Sequence, residues 1–255
     1  MRIRIQPYKA GSASARALGR AMGVRRLRVV RTTFRPRPDD VIINWGSRVF
    51  RPNVGLWLNH PYAVDVAQCK LASLITMQRA GVPVPMFTID PGVAENWLQD
   101  RAPVVARTLL RASGARGLVL VQPGDEVPVA PLYTRYEKKR HEYRIHVIRI
   151  GDSYELLDIQ QKRRRTGQEC DSQVRNAANG WVYCRENVAA PETAIEASIR
   201  AVGALGLDFG AVDLGWNEYR AAPCVYEVNT APGLDGTTPE RYGEALYRAI
   251  NARGT

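Results

Sequence analysis

The sequence has few of the residues that build disulfide frameworks, zinc sites and membrane spans. Its 255 residues include four cysteines and three histidines, and none of these forms a C-x-x-C pair or has zinc-ligand spacing. We therefore expect neither disulfides nor structural zinc. No stretch approaches about 18 consecutive apolar residues, and the N-terminus lacks the apolar core of a signal peptide. We expect no membrane span, and a cytoplasmic protein with reduced thiols.

Lysine is also scarce, whereas arginine is abundant: five lysines accompany 31 arginines. The net charge of +11 is unevenly distributed, because residues 1–64 hold 13 basic and 2 acidic residues and the rest of the chain holds 23 of each. The excess positive charge therefore lies in the first quarter of the sequence. It would attract an acidic partner such as a glutamate-rich peptide, a protein tail or nucleic acid, or it serves solubility alone.

Composition and patterning predict a soluble α/β protein. The content of 45% hydrophobic and 24% charged residues is typical of a globular chain with one large or two small domains. Short strands alternating with a helix predict a small α/β unit at the N-terminus. The predicted strands are 2–5, 27–30, 41–44, 104–106, 118–121, 144–150, 154–159, 210–216 and 224–228. The first predicted helix begins in the small polar run 11–14 and ends at 22. The others are 64–80, 192–205 and one that begins at Thr238-Pro239.

The most informative stretch joins two predicted strands near the end of the sequence. Glu227 and Asn229 are two residues apart on one strand, so both side chains project from the same face. If the preceding strand pairs antiparallel with it, Asp213 reaches that face too. Two carboxylates and one amide oxygen are hard ligands that suit Mg²⁺. For an isolated E-x-N pattern the alternative is a half-buried strand with solvent-facing side chains, but here Asp213 accompanies the pattern.

These residues make the sequence resemble the ATP-grasp superfamily, which includes D-alanine–D-alanine ligase, glutathione synthetase and the ribosomal-protein glutamate ligases. The resemblance covers about residues 64–250 and is strongest at Gly210-Ala-Val-Asp213 and at Tyr226-Glu-Val-Asn-Thr-Ala-Pro-Gly-Leu234. It implies an α/β (α+β) ATP-grasp fold, in which two α+β subdomains clamp ATP after a short Rossmann-like N-terminal unit. In that family the residues that match Asp213, Glu227 and Asn229 hold one or two Mg²⁺ ions, for which Mn²⁺ can substitute.

The resemblance also implies nucleotide-binding residues. Lys70 matches a lysine that contacts the nucleotide phosphates, and a solvated helix lysine is the alternative. Arg107 ends a strand where the family normally has a phosphate-binding lysine; arginine keeps the charge but replaces a compact ammonium with a planar fork. Glu142 matches the residue that accepts the ribose hydroxyls, or is a surface charge on a strand. The glycine-rich loop over the triphosphate includes Ser113, Gly114 and Gly117. The linker that clamps adenine includes Tyr133, Thr134, Arg135 and Tyr136.

A basic group precedes the metal motif. In ligases of this family, residues that match Arg144, Lys162 and Arg175 stabilise the transferring phosphoryl group and the acyl phosphate. Lys162 lies in the run 160–165, which is alternatively a solvated charge run or a nucleic-acid contact. Asn44-Trp45-Gly46, at the end of a predicted strand, is a candidate substrate-side element, and a buried tryptophan beside a turn explains it equally well.

The implied activity is that of a carboxylate–amine ligase, which uses ATP and Mg²⁺ to form an amide through an acyl phosphate. Its substrates would be a small-molecule or peptide carboxylate and an amine, whose identities do not follow from the sequence. An ATP-grasp phosphotransferase and a non-catalytic nucleic-acid-binding protein remain as alternatives. The sequence also resembles small ATP-grasp proteins of tailed bacteriophages and bacteria. The implied divisions are a basic unit at 1–63, a nucleotide-binding subdomain at 64–134 with a mobile loop at 108–117, and a metal-binding subdomain at 135–255.

Overall fold

The computed structural model describes residues 1–112, 116–167 and 173–253. Its helices are α1 (Ala13–Ala21), α2 (Pro61–Gln68), α3 (Lys70–Arg79), α4 (Pro91–Gln99), α5 (Glu192–Ala204) and α6 (Thr238–Asn251). Its strands are β1 (Ile3–Pro7), β2 (Val41–Trp45), β3 (Leu56–Leu58), β4 (Phe87–Thr88), β5 (Val104–Arg107), β6 (Leu118–Val121), β7 (Leu132–Arg135), β8 (His141–Ile150), β9 (Ser153–Arg164), β10 (Trp181–Cys184), β11 (Phe209–Asn217) and β12 (Ala222–Asn229). Within these described ranges, no helix is both long and apolar enough to cross a lipid bilayer.

The strands form three separate sheets. A parallel sheet in the N-terminal unit, residues 1–63, has the order β1-β2-β3. An antiparallel four-stranded sheet has the order β4-β7-β5-β6. An antiparallel five-stranded sheet has the order β10-β9-β8-β11-β12. The predicted α/β (α+β) class is therefore confirmed, and the parallel pairs lie in the N-terminal unit.

The strand predicted at 27–30 is wrong. The residue before it joins the first sheet through an isolated bridge between Arg26 and Ile5, and the Leu27 N–H donates to the Ile5 carbonyl (2.8 Å). Leu27 is buried, but Val30 at the end of the apolar run is exposed. Because a strand is stabilised by a packed face, one buried side chain does not extend the sheet here.

Two of the three hydrophobic clusters lie behind the antiparallel sheets. α2, α3 and α5 pack together on one face of the five-stranded sheet, and α4 packs on the four-stranded sheet. The third cluster joins the N-terminal unit to α6. In it, Trp45 stacks on Phe209 with ring centroids 5.3 Å apart and meets Tyr242 edge-on at 5.5 Å. The two ends of the chain therefore share one core.

Replacing Trp45 by alanine is expected to lower the free energy of unfolding by about 3–5 kcal/mol. Trp45 is fully buried, and its indole N–H donates to the Ser14 hydroxyl (3.0 Å). Urea unfolding followed by circular dichroism measures the change. Phe50→Ala is the matched control, because Phe50 is 58% exposed and its loss should cost less than about 1 kcal/mol. Equal losses in the two variants would contradict the placement of Trp45 in the shared core.

The single helix predicted at 64–80 is also wrong, because two helices meet at Cys69. Cys69 has extended backbone angles (φ −88°, ψ 111°). The Lys70 N–H donates to the Leu110 carbonyl (2.9 Å) rather than to a residue of α2. The apolar periodicity is helical on both sides of the break, so the pattern does not reveal it. The break makes Lys70 the first residue of α3.

The linker predicted to include Tyr133, Thr134, Arg135 and Tyr136 is displaced along the chain. Its first three residues belong to β7, so the connection between the two antiparallel sheets is 136–140. The last helix begins at Thr238 as predicted, but Thr237 is the residue at the cap position. The hydroxyl of Thr238 is instead turned into the protein, where it donates to the Asp235 carbonyl (2.9 Å).

Candidate active site

The three predicted metal residues come together on two neighbouring strands. Asp213 on β11 pairs directly with Glu227 on β12. The amide nitrogen of Asn229 lies 3.2 Å from Asp213 Oδ2 and 3.3 Å from Glu227 Oε1. Val225 and Val228 of β12 belong to the hydrophobic cluster behind the sheet. The polar side chains therefore share the opposite face, which we name the polar face.

A β-bulge in β12 adds a tyrosine to this face. The pairing of β11 with β12 shifts after Asp213, so Tyr226 has no partner residue on β11. A Cβ atom added to Gly215 would lie 2.1 Å from the Tyr226 hydroxyl. Gly215 and Asp213 are two residues apart on β11, so the tyrosine lies over the same face as the metal residues.

Both carboxylates are paired with largely buried cations. Arg144 donates from Nε and Nη2 to the two oxygens of Asp213 (2.7 and 2.8 Å), and Lys70 forms an ion pair with Glu227. Burial alone would raise the pKa of the Asp213 carboxyl, but the Arg144 guanidinium outweighs burial and holds that pKa well below its usual value. Asp213 is therefore ionised at neutral pH, as a metal ligand must be.

Lys162 and Glu142 form a third ion pair on the polar face. Both are nearly buried, so Glu142 is not the surface charge of the alternative interpretation. The Tyr183 ring lies against Arg144 and Lys162. The Arg144 guanidinium is 4.2 Å and the Lys162 ammonium 5.4 Å from its ring centroid. The aromatic ring and the two ion pairs fix the positions of these cations.

Arg175 contacts the linker rather than the metal residues. Its guanidinium donates to the carbonyls of Lys139 and Arg140 (3.1 and 3.2 Å) and lies 4.5 Å from the centroid of Trp181. Its own carbonyl accepts from Lys162 Nζ (2.8 Å). Arg175 thus connects Lys162 to the linker.

Arg107 lies at the end of β5 and contributes a cation of the four-stranded sheet to the site. Its Nε atom is buried and has no hydrogen-bond partner among the described residues. Burial lowers the pKa of Arg107, and the charge of Glu227 opposes that shift. A buried guanidinium nitrogen without an acceptor is rare, and a phosphate oxygen would satisfy it. Of the predicted loop residues, Gly117 has φ +70°, whereas Ser113 and Gly114 lie outside the described residues.

The residues predicted to clamp adenine lie on β7 and directly after it. The Tyr133 ring is buried in the core of the four-stranded sheet, where its hydroxyl donates to the Pro128 carbonyl (2.9 Å), and Thr134 is buried beside it. The N–H groups of Arg135 and Tyr136 donate to carbonyls in the segments that precede β4 and β5 (2.8 Å each). Tyr133 therefore has a structural role, and the later residues are nearer the linker.

Two polar groups near the linker were not among the predicted site residues. The Lys139 ammonium lies over the rings of Tyr136 and Tyr226, at 5.0 and 5.4 Å from their centroids. Burial lowers the pKa of Lys139, and the charge of Glu142 opposes that shift. Among the described residues, the buried Tyr226 hydroxyl has no hydrogen-bond partner. Tyr226 is next to Glu227 in the sequence, which is a signal that it lies near the site. Regular strand alternation, however, would place its side chain on the opposite face of the sheet.

The donor set on the polar face fits Mg²⁺. Within the described part of the chain, no three His, Cys, Asp or Glu side chains converge, so the third donor is the amide of Asn229. Mg²⁺ typically takes one or two carboxylates and completes its shell with water and phosphate oxygens. The Asn229 nitrogen now faces the two carboxylates, and half a turn of the amide presents Oδ1 instead.

His146 is buried on β8, where it pairs with Ala211 of β11. Its Nδ1 lies 3.0 Å from the Tyr242 hydroxyl, and its buried Nε2 has no hydrogen-bond partner in the part of the chain that the structure describes. Burial lowers the pKa of His146 to about 4, and the charge of Arg144 adds to the shift. His146 is therefore neutral in the folded protein at physiological pH.

Stability is expected to fall as the pH decreases from about 6.5 to about 4. The unfolded chain binds a proton at His146 near the upper value, whereas the folded protein binds it only near the lower one, so acid favours unfolding. His146→Gln, which does not titrate, should remove up to about 3 kcal/mol of this pH dependence. Urea unfolding at pH 7 and at pH 4.5 measures the difference. The same pH dependence in the variant and the original protein would contradict the prediction.

Comparison with known proteins identifies the fold. No protein-family model and no curated protein sequence matches the chain. The ATP-grasp ligase PsnB, solved with a minimal precursor, superposes with a TM-score of 0.69 at 12% identity over 97% of this chain and 98% of that one. D-alanyl-alanine synthetase A of Vibrio cholerae gives 0.68 at 12% identity, over 98% and 97%. Macrocyclase MdnC of Microcystis aeruginosa, bound with the precursor peptide MdnA, gives 0.62 at 13% identity, over 97% and 99%. Over nearly its whole length, the chain therefore has the ATP-grasp fold.

Proposed function

We propose that the protein is an ATP- and Mg²⁺-dependent carboxylate–amine ligase. The convergence of Asp213, Glu227 and Asn229 beside largely buried cations carries this proposal. The ligases and synthetases that share the fold support it. In the reaction, a substrate carboxylate attacks the γ-phosphorus of ATP and ADP leaves, which gives an acyl phosphate. An amine then attacks the acyl carbon, and phosphate leaves with the proton released by the amine.

The residues of the polar face have separate roles in this proposal. Asp213, Glu227 and Asn229 would hold Mg²⁺, which when bound neutralises phosphate charge and orients the transferring group. Arg144 and Lys162 stabilise the negative charge on that group. Arg175 is a positioning residue, because its carbonyl holds the Lys162 ammonium.

The nucleotide is assigned to the space between the two antiparallel sheets. Lys70 and Arg107 approach Glu227 from α3 and β5, which supports their assignment to the phosphates. Glu142 is assigned to the ribose hydroxyls. We assign adenine to the linker region, where the buried polar groups of Lys139 and Tyr226 lie. The remaining predicted residues of this site are Thr134, Arg135, Tyr136, Ser113, Gly114 and Gly117.

The three predicted divisions of the chain remain part of the proposal. The unit at 1–63 would select the acceptor, residues 64–134 would hold the nucleotide, and residues 135–255 would hold the metal. We assign the protein to the cytoplasm, where ATP is available.

Product analysis tests the proposed activity. The protein is incubated with ATP, Mg²⁺ and pools of amino acids, polyamines and acidic peptides. A ligase releases ADP over many turnovers only when both substrates are present, because the amine must consume the acyl phosphate, and its product has the mass of the two reactants minus water. A phosphorylated product that accumulates without an amine, well beyond one molecule per protein, would identify a phosphotransferase instead. Absence of ATP binding, together with strongly salt-dependent binding of DNA or RNA, would support a nucleic-acid-binding protein.

A further inference from the structure

A depression in the surface of the N-terminal unit combines aromatic and charged side chains. We name it the aromatic groove; it has a volume of about 450 Å³ and is lined by Arg48, Phe50, His60, Pro61, Tyr62 and Asp65. Phe50 is 58% and Tyr62 75% exposed. Large exposed aromatic side chains gathered in one depression are typical of a binding surface.

The aromatic rings of the groove support one another. Phe50 stacks on Trp57, with centroids 6.2 Å apart and an interplanar angle of 23°. The His60 ring lies 5.6 Å from that of Phe50 and 6.1 Å from that of Trp57. These contacts hold the exposed Phe50 ring in place before any ligand binds, which lowers the entropic cost of binding.

A buried asparagine fixes the loop that carries Arg48 and Phe50. The Asn44 side chain accepts from the Ser47 N–H (2.9 Å) and donates to the carbonyls of Ser47 and Asn59 (2.8 and 2.9 Å). Asn44 therefore ties the loop to the start of α2. Trp45, next to it, is the buried tryptophan of the alternative interpretation.

The same loop abuts the segment that follows the metal residues. The Gln68 side chain donates to the Gly46 carbonyl (2.6 Å) and lies 3.5 Å from the Thr230 hydroxyl, which directly follows Asn229. A Cβ atom added to Gly46 would lie 2.8 Å from Cβ of Ala231. The loop that leads to Arg48 and Phe50 is therefore in direct contact with the segment that follows Asn229.

We propose that the aromatic groove binds an acidic peptide segment that carries an apolar side chain, and that this peptide is the carboxylate substrate. Residues 1–64 hold 13 basic and 2 acidic residues, which favours an acidic occupant. Arg48 is 56% exposed at the groove. The one carboxylate there, Asp65, is paired with both Arg48 and Arg111 (3.4 and 2.9 Å).

The choice of a peptide over nucleic acid rests on the proposed function. A ligase substrate must supply a carboxylate, which nucleic acid lacks and glutamate side chains provide. An occupant that extends from the groove to the polar face can therefore react only if it is a peptide. The exposed aromatic rings add a preference for an apolar side chain between the acidic ones.

Fluorescence anisotropy with labelled nine-residue peptides tests the inference. The probe has eight glutamates and a central leucine, and its two variants replace the leucine by glycine or the glutamates by lysines. We expect the probe to bind, and each replacement to weaken binding about tenfold or more. Arg48→Glu and Phe50→Ala should each weaken probe binding by a similar factor. Arg20→Glu is the matched control; Arg20 is exposed on α1, and its variant should bind within about twofold of the original protein.

Three results would overturn the inference: no binding of the probe, an equal loss in the Arg20 and Arg48 variants, or displacement of the probe by oligouridylate at lower concentration than by unlabelled probe. The assay contains no ATP, so its failure leaves the ligase proposal intact. A failed product analysis with intact groove binding would instead reject the ligase and the peptide's role as its substrate, and would leave the peptide-binding groove standing. With activity present, Phe50→Ala should raise the KM for the peptide and leave kcat unchanged.

Discussion

Glu227→Gln and Asp213→Asn are each expected to lower ATP turnover about a thousandfold. Each substitution keeps the side chain's size but removes one of the two negative charges that would hold Mg²⁺. The result is measured as ADP release with Mg²⁺ and the substrates found by product analysis. Glu227→Gln is the more informative variant, because Glu227 is 28% exposed, whereas loss of the Asp213 charge leaves the buried Arg144 without its partner.

The matched control for these variants is Glu155→Gln. Glu155 pairs with Arg248 (2.7 Å) on an exposed part of the surface, where an ion pair contributes little to stability. Its activity should equal that of the original protein. Circular dichroism confirms that each variant is folded. Undiminished turnover in folded Glu227→Gln would remove the metal assignment.

Arg107→Ala is expected to weaken ATP binding by about ten- to a hundredfold. The buried guanidinium would lose its charge-assisted hydrogen bonds to phosphate, which contribute about 1.5–3 kcal/mol. Arg107→Lys should recover part of the affinity, because it restores the charge without the planar fork. Titration calorimetry with a non-hydrolysable ATP analogue and Mg²⁺ measures these affinities.

A second arginine variant separates this local effect from a loss of overall charge. Arg79→Ala removes an exposed arginine at the end of α3 and should leave nucleotide affinity unchanged. Equal affinities in the Arg107→Ala variant and the original protein would contradict the placement of phosphate at the end of β5.

The convergence of Asp213, Glu227 and Asn229 could be predicted from sequence because it depends on local geometry. Two residues in alternate positions of a strand share a face, and one antiparallel partner brings in a third. Asp213 and Glu227 are in fact directly paired. The position of Tyr226 could not be predicted in this way, because it depends on a bulge that the alternating pattern does not encode.

The elements that were predicted wrongly depend on tertiary contacts. The helix break at Cys69 depends on the hydrogen bond from the Lys70 N–H to Leu110, a residue 40 positions away. The strand predicted at 27–30 fails because Val30 has no surface to pack against. The aromatic groove is likewise assembled from two segments, 48–50 and 60–65, and no single motif in the sequence indicates it. Such features depend on packing between distant segments, which propensity and periodicity do not report.

The coupling between Mg²⁺ and nucleotide binding is the most direct test of the metal and nucleotide sites. The non-hydrolysable ATP analogue is titrated with and without Mg²⁺ into the original protein and into Glu227→Gln. We predict that Mg²⁺ strengthens binding to the original protein about a hundredfold, and that this gain is largely lost in the variant. Nucleotide affinity that does not depend on Mg²⁺ in the original protein, or the same gain in both proteins, would contradict a metal site at Asp213, Glu227 and Asn229.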